Sequence, residues 1–303
     1  MCGCFLFLPV AHADLPLTVE DLLTAAQRWR VDVGMAYANS DTTATQTGQF
    51  VEIQIGPTQF VSLPTAVGES RRNSDTLVLT PGLRYGLRGD TELYGRFSYA
   101  HTSTRTFALQ GAYQEDSERL TDAWLGINHR FIKEGTRPAL LGFIELAAAE
   151  NVARTGTKLV HGKTGLVGLT TYRAIDPIVL AFTAAYRWHA QRPLDNGTQN
   201  PGDLLLLNPS VSFAVNHEVT LSSGLHWRWQ RADQLNDIDQ GLRTTRTSLN
   251  LGLGYAWSQR LTLNFNSRAN ISGRDGADLD LTLSYKLGDL PKRERKKASG
   301  GEQ

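Results

Sequence analysis

Apolar and polar residues alternate with a period of two along most of the chain. From Leu249 to Trp257 every second residue is a leucine or an aromatic residue, and the residues between them are asparagine, glycine and alanine. Such alternation is typical of a β-strand with one apolar face. The sequence predicts twelve strands of this kind, at residues 28–41, 73–87, 91–105, 119–131, 139–153, 162–175, 178–191, 204–216, 219–232, 244–257, 261–272 and 279–288.

The links between these strands alternate in length. Links such as 176–177 and 258–260 are tight, whereas the links that alternate with them are mostly longer and polar, and the first reaches across residues 42–72. Outer-membrane barrels combine short periplasmic turns with long extracellular loops in this way, and their closure leaves no strand edge in lipid. The predicted fold is therefore all-β, a closed antiparallel transmembrane β-barrel of about 12 strands over residues 28–288. The predicted location is the bacterial cell outer membrane.

The alternative fold is a soluble β-sandwich, in which aromatic and polar residues also alternate. A sandwich does not require strands of this length or apolar-face aromatics at both strand ends. The aromatic residues near predicted periplasmic ends are Trp29, Tyr85, Phe131, Tyr255, Trp257 and Tyr285, and those near outer ends are Tyr99, Trp188, Trp227 and Trp229. Two aromatic girdles favour the membrane barrel. Residues 139–153 and 162–175 alternate poorly, which leaves the facing of these two segments open.

One segment before the barrel has the pattern of a helix. Residues 14–27 are predicted as a plug with a helix at 17–27, because Thr18 can cap the first turn and Glu20 and Asp21 lie at its positive end. Leu22 and Leu23 share its apolar face with Val19 and Ala26.

The two ends of the chain are predicted to lie outside the barrel. Residues 1–13 combine a short apolar run with Ala11-His12-Ala13, the form of a signal-peptidase site, so Asp14 is the predicted mature start. Cys2 and Cys4 would leave with this signal peptide. Residues 289–303 are predicted as a basic disordered tail.

The composition limits the kinds of partner that the protein is expected to bind. The 31 basic and 30 acidic residues nearly cancel, so no nucleic-acid partner is expected. No apolar run is long enough for a transmembrane helix, which leaves strands as the means of contacting outer-membrane lipid.

Charged residues on the polar face of the strands are predicted to line the pore. They are Arg30, Asp32, Arg84, Glu92, Arg96, Asp122, Arg130, Glu145, Arg187, Arg228, Arg246, Arg268, Asp280 and Lys286. Their positive surplus predicts a wet interior that favours anions or holds an acidic plug. The alternative is that ladders of arginine and carboxylate groups only solvate and brace the barrel wall.

Catalysis is not expected. Some outer-membrane barrels are lipases with a serine and a histidine at the rim, but the histidines here are scattered and have no recurrent serine or asparagine partner. No nucleophile motif, phosphate loop or metal-ligand spacing is present in the sequence, so no cofactor or metal is predicted.

The first long loop is unusually apolar. Residues 48–75 include Phe60 and five other large apolar residues, interrupted by Pro57 and Pro64. One interpretation is a gating loop that folds into or across the mouth, and the other is a hairpin that extends the strands above the membrane.

Several stretches resemble one family. "LTVEDLL", "WRVDVGMAYANSD", "GPTQFVSLPTAVGESRRNSDTL" and "GLRYGLRGDTELYGRFSY" are similar to the outer-membrane transporter of the functional-amyloid (Fap) secretion system, and the resemblance covers roughly residues 15–288. It implies a twelve-stranded barrel that forms homotrimers and carries a lumenal plug helix at residues 17–27. It also implies an outer-membrane pore that secretes amyloid-like polypeptide subunits in unfolded form.

A second function stays open. The same pattern is similar to outer-membrane channels linked to uptake of aromatic compounds, which also place an amino-terminal segment in the lumen. On this interpretation the chain is a passive diffusion channel for small hydrophobic or anionic solutes. A non-conducting structural or adhesive barrel has no positive support in the sequence.

Overall fold

The computed structural model describes residues 22–42, 50–56, 59–64, 71–108, 111–152, 158–194, 197–272 and 276–288. The predicted signal peptide, the predicted tail and residues 14–21 of the predicted plug lie outside these residues. No helix in the described part of the chain is long and apolar enough to cross a membrane.

Twelve long strands form the barrel, each antiparallel to its neighbours in the chain. They are β1 (Trp29–Thr42), β2 (Arg71–Arg88), β3 (Thr91–Ala108), β4 (Gly111–Ile132), β5 (Ala139–Asn151), β6 (Thr164–Ile175), β7 (Ile178–His189), β8 (Leu204–Ala214), β9 (Val219–Gln230), β10 (Thr244–Ala256), β11 (Leu261–Ser272) and β12 (Gly276–Leu287). Strand β1 pairs with β2 on one side and with β12 on the other, from Trp29 opposite Leu287 to Ser40 opposite Gly276. The sheet is therefore closed and the predicted twelve-strand barrel is confirmed.

The outward face of the barrel strands is apolar. Leu251 is 52% exposed and Leu253 43% exposed in the isolated chain, whereas the intervening Gly252 faces the interior. Leucine and aromatic side chains continue this exposed apolar band around the barrel. Lipid is the environment that such a surface requires.

The links follow the predicted alternation with two exceptions. Turns at 89–90, 176–177, 215–218 and 257–260 are short and lie at the periplasmic end, and the link 133–138 is the longest there. At the outer end, 109–110 and 273–275 are also short. The prediction of a long polar loop over 106–118 was wrong, because β3 and β4 continue through it as a paired ladder to Ala108 opposite Gly111.

Seven shorter strands lie in the outer loops. Phe50–Gly56 and Gln59–Pro64 form a hairpin, and Leu159–Val160 pairs with the end of β5. The other four strands form a small sheet in the order Arg192–Leu194, Gly197–Asn200, Gln234–Leu235 and Ile238–Asp239.

Bulges explain why the alternation is poor near β5. The register between β4 and β5 shifts between Ala123 and Trp124, so that Ala147 lies opposite Trp124 and Ala149 opposite Ala123. Ala148 is the extra residue. An extra residue moves the side chains that follow it to the opposite face of the strand. Glu145 and Glu150 are five positions apart, and both therefore point inward.

The plug helix is not confirmed. Residues 22–27 run as bends and a turn, with Gln27 at a φ of 56° and Ala26 bridged in parallel to Gly86 of β2. The predicted helical residues Thr18, Glu20 and Asp21 lie outside the described part of the chain.

Candidate functional site

The interior of the barrel is filled along one wall. Seven buried side chains from five consecutive strands, β4 to β8, pack into one apolar cluster; they are Trp124, Phe143, Ala147, Leu166, Ala185, Leu204 and Leu206. Trp124 is 1% exposed and Leu206 0% exposed. Because strands four places apart meet in this cluster, its side chains occupy the concave space between them.

The opposite wall combines short polar side chains with long charged ones. Inward positions on β9 to β12 include Thr220, Ser222, Gly224, Ser248, Gly252, Gly254, Thr262, Asn264, Thr282 and Ser284. Most are hydroxyl groups, amides or glycines, which project little into the lumen. His226, Arg228 and Arg268 are buried among these positions, so this wall is polar and carries cations, in contrast to the apolar cluster.

A buried ion-pair network spans β1 to β3 near the periplasmic end. The guanidinium of Arg84 donates to Asp32 at 2.5 Å and to Glu92 at 2.9 Å. Arg30 donates to Asp32 at 2.8 Å and to the hydroxyl of Ser284 at 2.8 Å. Arg30 and Arg84 lie directly opposite each other in the ladder, so the shared carboxylate of Asp32 offsets the repulsion between neighbouring cations.

A second buried network lies between β3 and β5. Glu145 accepts a hydrogen bond from Arg96 at 2.9 Å and one from the hydroxyl of Tyr94 at 2.8 Å. The guanidinium carbons of Arg96 and Arg187 lie 5.4 and 5.0 Å from the ring centre of Trp124. Cationic and aromatic groups thus meet at the edge of the apolar cluster.

A third pair lies at the outer end and was not predicted. Arg192 donates to Glu150 at 2.7 Å and to Thr164 at 2.5 Å, and its side chain is 4% exposed. Sequence alternation missed Glu150 because of the bulge at Ala148, and Arg192 because it belongs to a loop. This pair adds one cation and one carboxylate to the predicted set, so the positive surplus inside the barrel is unchanged.

The other predicted pore-lining residues lie on β9 to β12 and on β4. Arg228 and Arg246 lie side by side across β9 and β10, and Arg268 lies 3.8 Å from Asp278. Asp122 is buried on β4, and Lys286 lies opposite Arg30 in the β1–β12 ladder.

Arg130 lies at the periplasmic rim rather than deep in the pore. It donates at 2.7 Å to Asp90 in the turn after β2, and this hydrogen bond holds the pKa of the Asp90 carboxyl below its usual range. Arg130 therefore stabilises a turn. This agrees with the alternative interpretation of the predicted pore-lining charges, in which arginine and carboxylate groups only brace the barrel wall.

The segment before β1 is attached inside the periplasmic mouth. The backbone N–H of Thr24 donates to Glu92 at 2.6 Å, and that of Gln27 donates to the carbonyl of Gly86 at 2.6 Å. The N–H of Gly86 in turn donates to the carbonyl of Arg28 at 3.0 Å. A Cβ atom at Gly86 would lie 2.1 Å from the carbonyl oxygen of Ala25, so only glycine permits this close approach.

The same segment crosses the lumen. Leu22 and Leu23 pack against a buried cluster of Ala139, Leu141, Tyr172 and Val179 on β5, β6 and β7. In the closed order of strands, β7 lies diametrically opposite β1, to which the segment is joined. Residues 22–28 therefore form a bar across the periplasmic end of the barrel, although residues 22–27 are not helical.

The predicted gating loop has a hairpin backbone. Phe60 and Pro64 belong to its second strand, where Phe60 pairs with Gln54, and Pro57 lies outside the described residues. The first strand contacts β12 and β1. Gating by this loop stays a prediction.

Comparison with solved structures supports the fold. The chain is similar to an outer membrane channel from Pseudomonas putida F1, with 13% identity, a TM-score of 0.60 and coverage of 92% of this chain and 99% of that one. It is also similar to the translocator domain of the autotransporter NalP from Neisseria meningitidis (9% identity, TM-score 0.51, 86% and 88% covered). The transport unit of the autotransporter AIDA-I from Escherichia coli gives 12% identity and a TM-score of 0.50, with 89% and 93% covered.

No protein-family profile and no curated protein matches the sequence. The resemblance to the Fap transporters therefore gains no support from these comparisons. The closed twelve-strand barrel, its apolar exterior and its likeness to an outer membrane channel make this chain a β-barrel protein of the bacterial outer membrane.

Proposed function

We propose that the chain is a passive diffusion channel for small hydrophobic or anionic solutes, with its periplasmic mouth closed by residues 22–28. The observation that carries the proposal is the packing of Leu22 and Leu23 against β5, β6 and β7, on the far side of the lumen from β1. Secretion of an unfolded polypeptide requires an open lumen along the whole barrel, which this interior does not provide.

The two obstructions in the lumen differ in how readily they can move. The bar at 22–28 continues covalently into β1, and its contacts with the other strands are noncovalent, so it can leave while every barrel strand stays paired. The cluster around Trp124 belongs to the strands themselves, and emptying it would sacrifice core packing worth about 3–5 kcal/mol for a tryptophan alone. Displacement of the bar thus opens a partial lumen suited to small solutes.

The chemistry of the lumen supports the proposed solute class. Arg96 and Arg187 lie over Trp124, and Arg228 and Arg246 are neighbours on the opposite wall. Guanidinium groups stabilise a passing carboxylate, and aromatic and aliphatic surface accepts an apolar ring. A small aromatic acid such as benzoate combines both features.

Swelling of liposomes that contain the purified protein tests the proposal. Benzoate and small neutral sugars should enter, and benzoate should enter faster than an aromatic cation of similar size such as benzylammonium. Replacing the neighbouring arginines together, Arg228→Gln with Arg246→Gln, should reduce this preference. Equal entry of both ions, or passage of an unfolded polypeptide at a rate comparable to benzoate, would contradict the proposal.

A further inference from the structure

A groove lies on the outer surface of the barrel, away from the lumen. Its volume is about 520 Å³, and Tyr186 of β7 and Trp229 of β9 line it. Both side chains point outward, since Arg187 and Arg228 beside them point inward. Leu205 of β8 lies between Tyr186 and Trp229 in the ladder, so the outer wall beside the groove is apolar.

The groove lies where the outer leaflet meets water. Strand β7 ends at His189 and β9 at Gln230, one to three residues beyond Tyr186 and Trp229. Tyrosine and tryptophan concentrate at this depth because their rings are apolar and their polar atoms reach the headgroups. Leu242, on the loop above, is 86% exposed and extends the apolar surface.

Two arginines and two carboxylates border the groove, and the carboxylates accept the side-chain hydrogen bonds found there. Asp203 accepts from the Tyr186 hydroxyl at 2.7 Å and from the backbone of His189 at 3.0 Å. Asp239 accepts from Gln234 at 2.9 Å. Within the described residues, the guanidinium groups of Arg231 and Arg243 make no hydrogen bond or ion pair with another side chain, and both are exposed.

We propose that this groove binds a phosphorylated glycolipid of the outer leaflet, the lipid A part of lipopolysaccharide. Two guanidinium groups can hold a phosphate through paired charge-assisted hydrogen bonds. The sugar packs on Tyr186 and Trp229, and the acyl chains continue down the apolar wall past Leu205. This site is independent of solute passage through the lumen.

Native mass spectrometry of the detergent-solubilised protein tests the proposal with lipid A as the probe. The wild type should retain one lipid A, and the double variant Arg231→Gln with Arg243→Gln should bind it at least tenfold more weakly. Arg137→Gln with Arg260→Gln removes the same charge from two exposed periplasmic turns and should bind like the wild type. Enzymatically dephosphorylated lipid A should also bind at least tenfold more weakly to the wild type.

Three results would overturn the assignment. The first is equal lipid A binding by the two double variants. The second is equal binding of lipid A with and without its phosphates. The third is inorganic phosphate that competes at the same concentration as lipid A, since that would make free phosphate the ligand. The proposed function would survive each of them, because benzoate entry is measured through the lumen.

Discussion

The backbone N–H of Thr24 donates a 2.6 Å hydrogen bond to the carboxylate of Glu92, a side chain that is 0% exposed. Glu92 also accepts from Arg84 at 2.9 Å and from Asn128 at 2.8 Å. The bar at residues 22–28 is therefore attached to the ion-pair network of the barrel wall. This attachment makes the closed state a property of the folded barrel rather than of a loosely held tail.

Adding one methyl group at Gly86 should open the channel. In Gly86→Ala the new Cβ meets the carbonyl oxygens of Ala25 and Thr24 at 2.1 and 2.5 Å, so the bar must move away from β2. Overpacking of this kind costs about 1–3 kcal/mol, and each 1.4 kcal/mol changes the closed-to-open ratio about tenfold. Single-channel recording in planar bilayers should show a higher open fraction.

Gly82→Ala is the matched control on the same strand. Its Cβ would lie 3.4 Å from the nearest atom, the carbonyl oxygen of Gly95, which is ordinary contact. Its open fraction should equal that of the wild type. Equal behaviour of the two alanine variants would show that the bar does not close the pore.

The apolar contacts of the bar should matter more than salt. Leu22 and Leu23 are packed against β5 to β7, and the backbone of Thr24 and Gln27 is hydrogen-bonded. Raising the salt from about 0.1 to 1 M shortens the screening length from about 10 to 3 Å and should leave the open fraction almost unchanged. Leu22→Asn with Leu23→Asn should raise it at both salt concentrations. An open fraction that climbs steeply with salt in the wild type would instead indicate a bar held by surface ion pairs.

Buried and exposed carboxylates should differ in their effect on stability. Glu145→Gln removes the carboxylate charge that Arg96 contacts at 2.9 Å inside the barrel, and breaking a buried pair costs about 3–5 kcal/mol. Glu118→Gln removes the exposed carboxylate that lies 3.2 Å from His101 and should cost little by comparison. Urea unfolding in lipid vesicles, followed by tryptophan fluorescence, measures both free energies of unfolding. Comparable losses would mean that the Glu145 network is solvated.

The facing of the strands gives a further prediction. Leu251→Arg places a cation on the lipid side and should cost about 2–4 kcal/mol near the middle of the membrane. Asn264→Arg places the same group on the lumenal face beside Gly254 and Thr282 and should cost much less, because that face does not contact lipid. The same unfolding assay compares them, and equal losses would show that the facing is wrong.

The sequence predicted most of the barrel because lipid imposes a simple rule on it. A strand between lipid and lumen must alternate, so the bounds of β10 and β11 were predicted to within one residue. Pore-lining charges such as Arg84 and Glu92 follow from the same alternation. Alternation cannot show which cation meets which carboxylate, because that depends on register between strands.

Other features depend on contacts that no periodicity records. Leu22, Leu23 and Ala26 fit a helical face, but the segment bonds to β2 and β3 and packs on the β5–β7 wall. Its internal backbone bond, from the N–H of Arg28 to the carbonyl of Ala25, closes a turn rather than a helix. An isolated helix of this length is marginal in water, so tertiary contacts decide its conformation. The alternation did not place Glu150 on the lumenal face, because one extra residue, Ala148, moves the following side chains of β5 to the opposite face.

Single-channel conductance of a variant that lacks residues 14–27 tests the central claim most directly. The complete protein should remain mostly in a closed or low-conductance state, whereas the deletion variant should show a larger conductance that persists and passes benzoate. The conductance of Gly86→Ala should shift toward that of the deletion variant. This point substitution keeps the claim testable if the deletion variant does not fold. Identical conductance with and without residues 14–27, in protein whose heat-resistant folded form is verified, would contradict the account.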